Sequence, residues 1–100
     1  MKTSTQIHLE YSDIQQEAQR IAKRLVNHWK HKFQIEQTNE YQQIIHMPEA
    51  SVSLQALQSG LHVTIETQTE DYAMLERVVL DHLNRMAHQE FQVEWQRQDG

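Results

Sequence analysis

The chain has 100 residues, two glycines, one proline and no cysteine, and 9 basic against 14 acidic side chains give a formal charge of −5. The missing cysteines exclude a disulfide framework, thiolate zinc or iron–sulfur sites and a cysteine nucleophile, and the acidic balance excludes the basic footprint of a duplex nucleic-acid binder. The start MKTSTQIHLEY has no apolar stretch of the signal-peptide kind and no long apolar run follows, so a single domain over 1–100, cytoplasmic and without a membrane partner, is expected.

Residues 4–10 alternate, with Thr5, Ile7, Leu9 and then Tyr11 on one face and Gln6, His8 and Glu10 on the other. That is a half-buried strand. The period then changes. Ser12 or Asp13 can cap a helix whose apolar stripe is Ile14, Ala18, Ile21, Leu25 and Trp29. Basic residues gather at its end, where they complement the helix dipole. Four short alternating runs follow, separated by Asn39-Glu40, Pro48-Glu49 and Ser59-Gly60. Such short spacers predict an antiparallel meander. A second helix is predicted from about Thr69, its N-cap, with Glu70 and Asp71 at the start. Its apolar face is read as Tyr72, Leu75, Val78, Val79, Leu83 and Met86. Phe91, Val93 and Trp95 then alternate inward in a last strand, 91–97.

The order is β-α-β-β-β-β-α-β. An alternating sheet has one apolar face, and two amphipathic helices are available to cover it. The expected fold is an α+β two-layer sandwich: a mainly antiparallel sheet with both helices on one face. The other face carries Gln, Glu, Thr and His, which leaves it for solvent or for a second copy in a homodimer.

Seven histidines raise the functional question. The run HWKHKF, residues 28–33, ends the first helix. His28 and His31 are three apart and so are neighbours on a helix. His82 falls near the middle of the second helix's expected apolar stripe, where an imidazole needs a hydrogen-bond partner. Its plain reading is a core histidine satisfied by a carbonyl. Its sharper reading is a third ligand, with His28 and His31, for a divalent metal or haem iron. No Glu follows the first histidine, so a metalloprotease helix is not indicated. His8, His46 and His62 are expected to face outward, and His88 to be exposed near the helix end. Lys32 and Arg85 are candidates for an anion. Glu66, Glu70, Asp71, Glu76 and Asp81 show no spacing that argues a paired acid–base site. No phosphate loop or nucleophile elbow occurs.

Two stretches, NHWKHKFQIE (27–36) and LERVVLDHLNRMAHQEFQVEWQR (75–97), together resemble a family of small bacterial proteins catalogued as a domain of unknown function, number two-two-one-eight. The matching positions are His28, Trp29, His31, Lys32 and Phe33, then Asp81, His82, Leu83, Arg85 and Trp95. Met86 stands where the family often has Phe, and Glu49-Ala50 where it tends to have glycine. The resemblance implies no established chemistry. It implies a neighbourhood of iron and siderophore handling, and it singles out His28, His31 and His82 from the other histidines. The reading is therefore a small accessory or binding protein, with a metal- or haem-binding module as the alternative. A small enzyme using a histidine as general acid or base ranks last.

Overall fold

The computed structural model describes residues 1–10, 12–69 and 71–98. The expected positions of Tyr11 and Glu70 lie outside the described residues. Among the described residues, six strands and two helices follow in order: β1 (Lys2–Ile7), α1 (Ile14–Trp29), β2 (Gln34–Asn39), β3 (Gln42–His46), β4 (Ala50–Leu57), β5 (Gly60–Thr67), α2 (Tyr72–Ala87) and β6 (Gln96–Gln98). All pairings are antiparallel, in the sheet order β2-β3-β4-β5-β1-β6. The two-layer α+β sandwich is the fold, with both helices on one face of the sheet. None of the described helices is long and apolar enough to cross a membrane.

Register explains which face is covered. Thr3, Ile65, Val52, Ile45 and Ile35 lie opposite one another across five strands, and so do Thr5, Val63, Leu54, Gln43 and Gln37. All of these but Ile35 and Gln37 are buried. They meet Ala18, Ile21, Ala22, Leu25, Val26 and Trp29 of α1, and Val79 and Leu83 of α2. The neighbouring rows, Ser4–Thr64–Ser53 and Gln6–His62–Gln55, face the other way and stay open. His46 and His62 lie on this open face, as the alternation predicts.

Asp13 caps α1: its Oδ1 accepts the Gln16 N–H at 3.1 Å, satisfying one of the helix's free donors. The second cap differs from expectation. Asp71 precedes α2 and makes no side-chain cap bond. The Thr69 hydroxyl instead takes part in the turn before the helix, accepting the Asp71 N–H at 3.4 Å. The β4–β5 turn also sits one residue earlier than read, at Gln58-Ser59, because Leu57 pairs with Gly60. Gly60 has φ +142°, and a Cβ there would lie 2.0 Å from the Ile7 carbonyl oxygen. Glycine is needed for that close backbone approach as well as for the dihedral.

The last strand is shorter than its alternation implies. Among the described residues of this segment, Gln96–Gln98 pair with β1. Phe91, Val93 and Trp95 do turn inward and are half-buried against the core. The Glu94 carbonyl, however, accepts from the Thr5 hydroxyl at 2.8 Å. A side-chain bond holds the segment beside the sheet there, with no strand ladder.

Candidate functional site at the helix seam

The ends of α1 and α2 meet in a seam. Arg24 spans it, donating from one guanidinium nitrogen to the Met86 carbonyl at 2.8 Å. Further along, the His82 ring lies 4.8 Å from the Trp29 ring and 5.4 Å from the His28 ring, centroid to centroid. Phe33 meets Trp29 edge-on at 5.8 Å. A row of rings, Phe33–Trp29–His82–His28, therefore runs from the corner after α1 across to α2. Trp29 is buried, Phe33 and His82 are half-buried, and His28 is exposed.

His82 does not sit mid-stripe as the helical spacing predicts. The buried face of α2 is Tyr72, Glu76, Val79 and Leu83. Val78, expected in the core, is 39% exposed. At 100° per residue, the true stripe is rotated away from Val78 and towards Glu76. That leaves His82 on the flank facing α1. The expected carbonyl partner is real: His82 Nδ1 lies 2.7 Å from the Val78 carbonyl oxygen. A carbonyl only accepts, so Nδ1 carries the proton, and in the neutral ring Nε2 holds a free lone pair. Histidines that ligate metals are oriented by this kind of bond from their other ring nitrogen.

The structure brings together two of the three sequence candidates. Two imidazoles sharing one ion, at about 2 Å per bond, hold their centroids about 5 Å apart, close to the 5.4 Å between His28 and His82. His31 is exposed in the turn after α1, outside these ring contacts. Among the described residues no three His, Asp or Glu side chains converge to hold a metal ion. What the seam sets side by side is two imidazoles, one half-buried and one exposed.

Of the anion candidates, Lys32 Nζ stands 5.6 Å from the centre of the Phe33 ring. Arg85, three residues after His82, is exposed and lines a shallow depression of about 530 Å³ with Asp81, Asn84, His88, Gln89 and Glu90. His88 is exposed as expected; it holds the left-handed conformation that ends α2.

One charged cluster escaped the sequence reading. Glu76 is buried with its side chain 8% exposed, and its carboxylate accepts from Arg97 at 2.8 and 3.2 Å and from the Thr3 hydroxyl at 2.7 Å. Burial raises the carboxyl's pKa, but the bonds from Arg97 and Thr3 and the Arg97 charge outweigh it, so Glu76 lies below the usual carboxylate range. The Arg97 guanidinium also stands 5.3 Å from the Tyr72 ring centre. This cluster ties β6, β1 and α2 together, and its role is structural. The one local signal was position: Glu76 follows Tyr72 by four residues and precedes Val79 by three.

No curated protein matches the chain. A solved structure does: the NMR structure of PA4090 from Pseudomonas aeruginosa, 28% identical, with 95% of this chain and 94% of that chain covered and a TM-score of 0.73. The profile of a family described as uncharacterised proteins conserved in bacteria, DUF2218, matches residues 14–96, a span that includes α1, the meander, α2 and every residue of the seam, and the chain belongs to that family.

Proposed function

We propose that the chain is a small non-catalytic binding protein of the cytosol, acting as one α+β domain, and that it takes a transition-metal ion between His28 and His82. The observation that carries this reading is the 2.7 Å bond from His82 Nδ1 to the Val78 carbonyl. It fixes the ring and leaves Nε2 as a donor beside a second imidazole. No nucleophile, acid–base pair or converging charged pocket accompanies these rings among the described residues, which favours binding over catalysis.

Two protein donors leave the other coordination positions to water or to a chelating ligand. Arg24 crosses the seam, Arg85 lies three residues from His82, and Lys32 follows α1. Asp81 stands beside His82, and Asp81 and Glu90 line the same depression as Arg85, so the surroundings are of mixed charge. An iron-linked role rests on the family resemblance.

Calorimetric titration with zinc(II), nickel(II) and iron(II) tests the reading. One ion per chain is expected, with binding lost in His82→Ala and in His28→Ala and kept in His31→Ala. Circular dichroism confirms that each variant folds. No heat from the wild-type protein, or equal binding by all four proteins, overturns it.

A further inference from the structure

The strand β6 begins at Gln96, yet the residues before it are spelled to continue its ladder. The β1–β6 pairs are Lys2↔Gln98, Thr3↔Arg97 and Ser4↔Gln96. Carried on, that register sets Thr5 opposite Trp95, Gln6 opposite Glu94 and Ile7 opposite Val93. Thr5, Ile7, Val93 and Trp95 then share the helix side of the sheet, and Gln6 and Glu94 share the open side, so every residue keeps its proper face. Backbone direction agrees. The Thr67 N–H donates to the Met1 carbonyl at 2.9 Å, so the odd residues of β1 turn their backbone groups toward β5 and the even ones toward β6. Gln6 therefore aims its N–H and C=O at the place that Glu94 would fill. In the structure the Glu94 carbonyl instead accepts from the Thr5 hydroxyl at 2.8 Å. A cleft of about 410 Å³ opens there, with Gln6, His8 and His62 on one side and Gln92, Val93 and Glu94 on the other.

We propose that residues 92–95 are a strap poised to close this cleft by zipping onto β1. The segment is tethered at both ends: the Phe91 N–H donates to Asn84 Oδ1 at 3.0 Å, and Gln96 pairs with Ser4. Between the tethers, two donors compete for one carbonyl. In the open state, which the structure shows, the Thr5 hydroxyl holds the Glu94 oxygen. In the closed state that oxygen accepts the Gln6 N–H, and the Glu94 N–H donates to the Gln6 carbonyl, as in any hydrogen-bonded antiparallel pair. Paired strands lie about 4.8 Å apart, which leaves no room for the cleft. Closure exchanges one side-chain bond for two backbone bonds. Against that gain stands Thr5, which is 5% exposed, so its hydroxyl would be left buried without this acceptor. The hydroxyl is thus the latch that keeps the strap open. The strap sets whether the Gln6 edge of the sheet is open or covered, and the metal site at the helix seam takes no part in it.

Amide hydrogen exchange followed by NMR on the full chain tests the latch. In wild-type protein the Gln6 and Glu94 amides should exchange fast beside the slow amides of Thr5 and Ile7, which face β5. Thr5→Val removes the hydroxyl with little change of shape. It should slow exchange at Gln6 and Glu94 at least tenfold, and bring the α-protons of Ile7 and Val93 into the close contact of a non-hydrogen-bonded antiparallel pair. Thr5→Ser keeps a hydroxyl and should behave as wild type. The chain has no cysteine, so Gln6→Cys/Glu94→Cys gives a second, unambiguous test on the open face. The closed register sets these Cα atoms about 5.5 Å apart, within disulfide range, and oxidation should form the cross-link together with the Ile7–Val93 contact. Unchanged exchange in folded Thr5→Val, a slowed Thr5→Ser, or wild-type amides already protected at both positions overturns the inference. So does a cross-link that fails to form, and if Thr5→Val does not fold the cross-link decides alone.

Discussion

Replacing Glu76 with Gln removes one charge from the cluster that ties β6 and β1 to α2, and its cost can be worked from the geometry. The carboxylate accepts three hydrogen bonds, one from Thr3 and two from Arg97. Bonds to a charged group contribute about 1.5–3 kcal/mol each. Two discounts apply. Glutamine keeps an acceptor for Thr3, and the Arg97 side chain, 49% exposed, can turn to water when its partner is lost. The expected loss at neutral pH is about 1–3 kcal/mol, or about 4–20 °C in Tm for a domain of this size. The sign of the pH dependence follows from the depressed carboxyl pKa. A lowered pKa in the folded state gives stability that is fully present above the unfolded value, about 4.3, and lost as pH falls through the folded value. Urea unfolding followed by tryptophan fluorescence at several pH values reads both. The gap between wild type and variant should stay constant from pH 7 to 5 and close below pH 4. A gap under about 0.5 kcal/mol at pH 7, or one that persists unchanged in acid, refutes this account of the cluster.

Two further substitutions test the fold. Gly60→Ala forces a Cβ to within 2.0 Å of the Ile7 carbonyl oxygen at φ +142°, and should cost more than about 2 kcal/mol in a thermal melt. Asp13→Ala removes the bond to the Gln16 N–H and should cost about 1 kcal/mol in the same assay, without altering metal binding at the far end of α1.

Most of the fold was legible because it is local. Period-2 runs such as Leu61, Val63 and Ile65 and the 3.6-residue stripe of α1 each report a buried face by themselves. The second helix shows where that stops. Read for hydrophobicity, it turns Val78 inward, leaves Glu76 out of the apolar face, and places His82 mid-stripe. The structure turns the helix the other way because Glu76 finds Thr3 and Arg97, 73 and 21 residues away along the chain. No local pattern announces such partners, and without them burying a carboxylate is unfavourable. The last strand errs for a related reason. Alternation at Phe91, Val93 and Trp95 reports that these residues face inward, while the Thr5–Glu94 bond decides that they do not pair. At the candidate site, the wheel places His82 mid-stripe, and its contact with Trp29 and His28 depends on how the two helices pack, which no local pattern reports. The separation of His31 from His28 was not legible either, because α1 ends at Trp29 and the turn beyond it breaks the three-residue spacing rule.

The proposed metal site requires that the His82 imidazole is pinned through Nδ1 and offers Nε2, beside His28, to the ion. Nitrogen-15 NMR of the imidazole side chains measures this directly at a pH where the rings are neutral. The account predicts the Nδ1–H tautomer for His82 and, on adding zinc(II), coordination shifts at His82 and His28 alone among the seven histidines. An Nε2–H tautomer at His82, or zinc(II) shifts confined to other histidines, contradicts it.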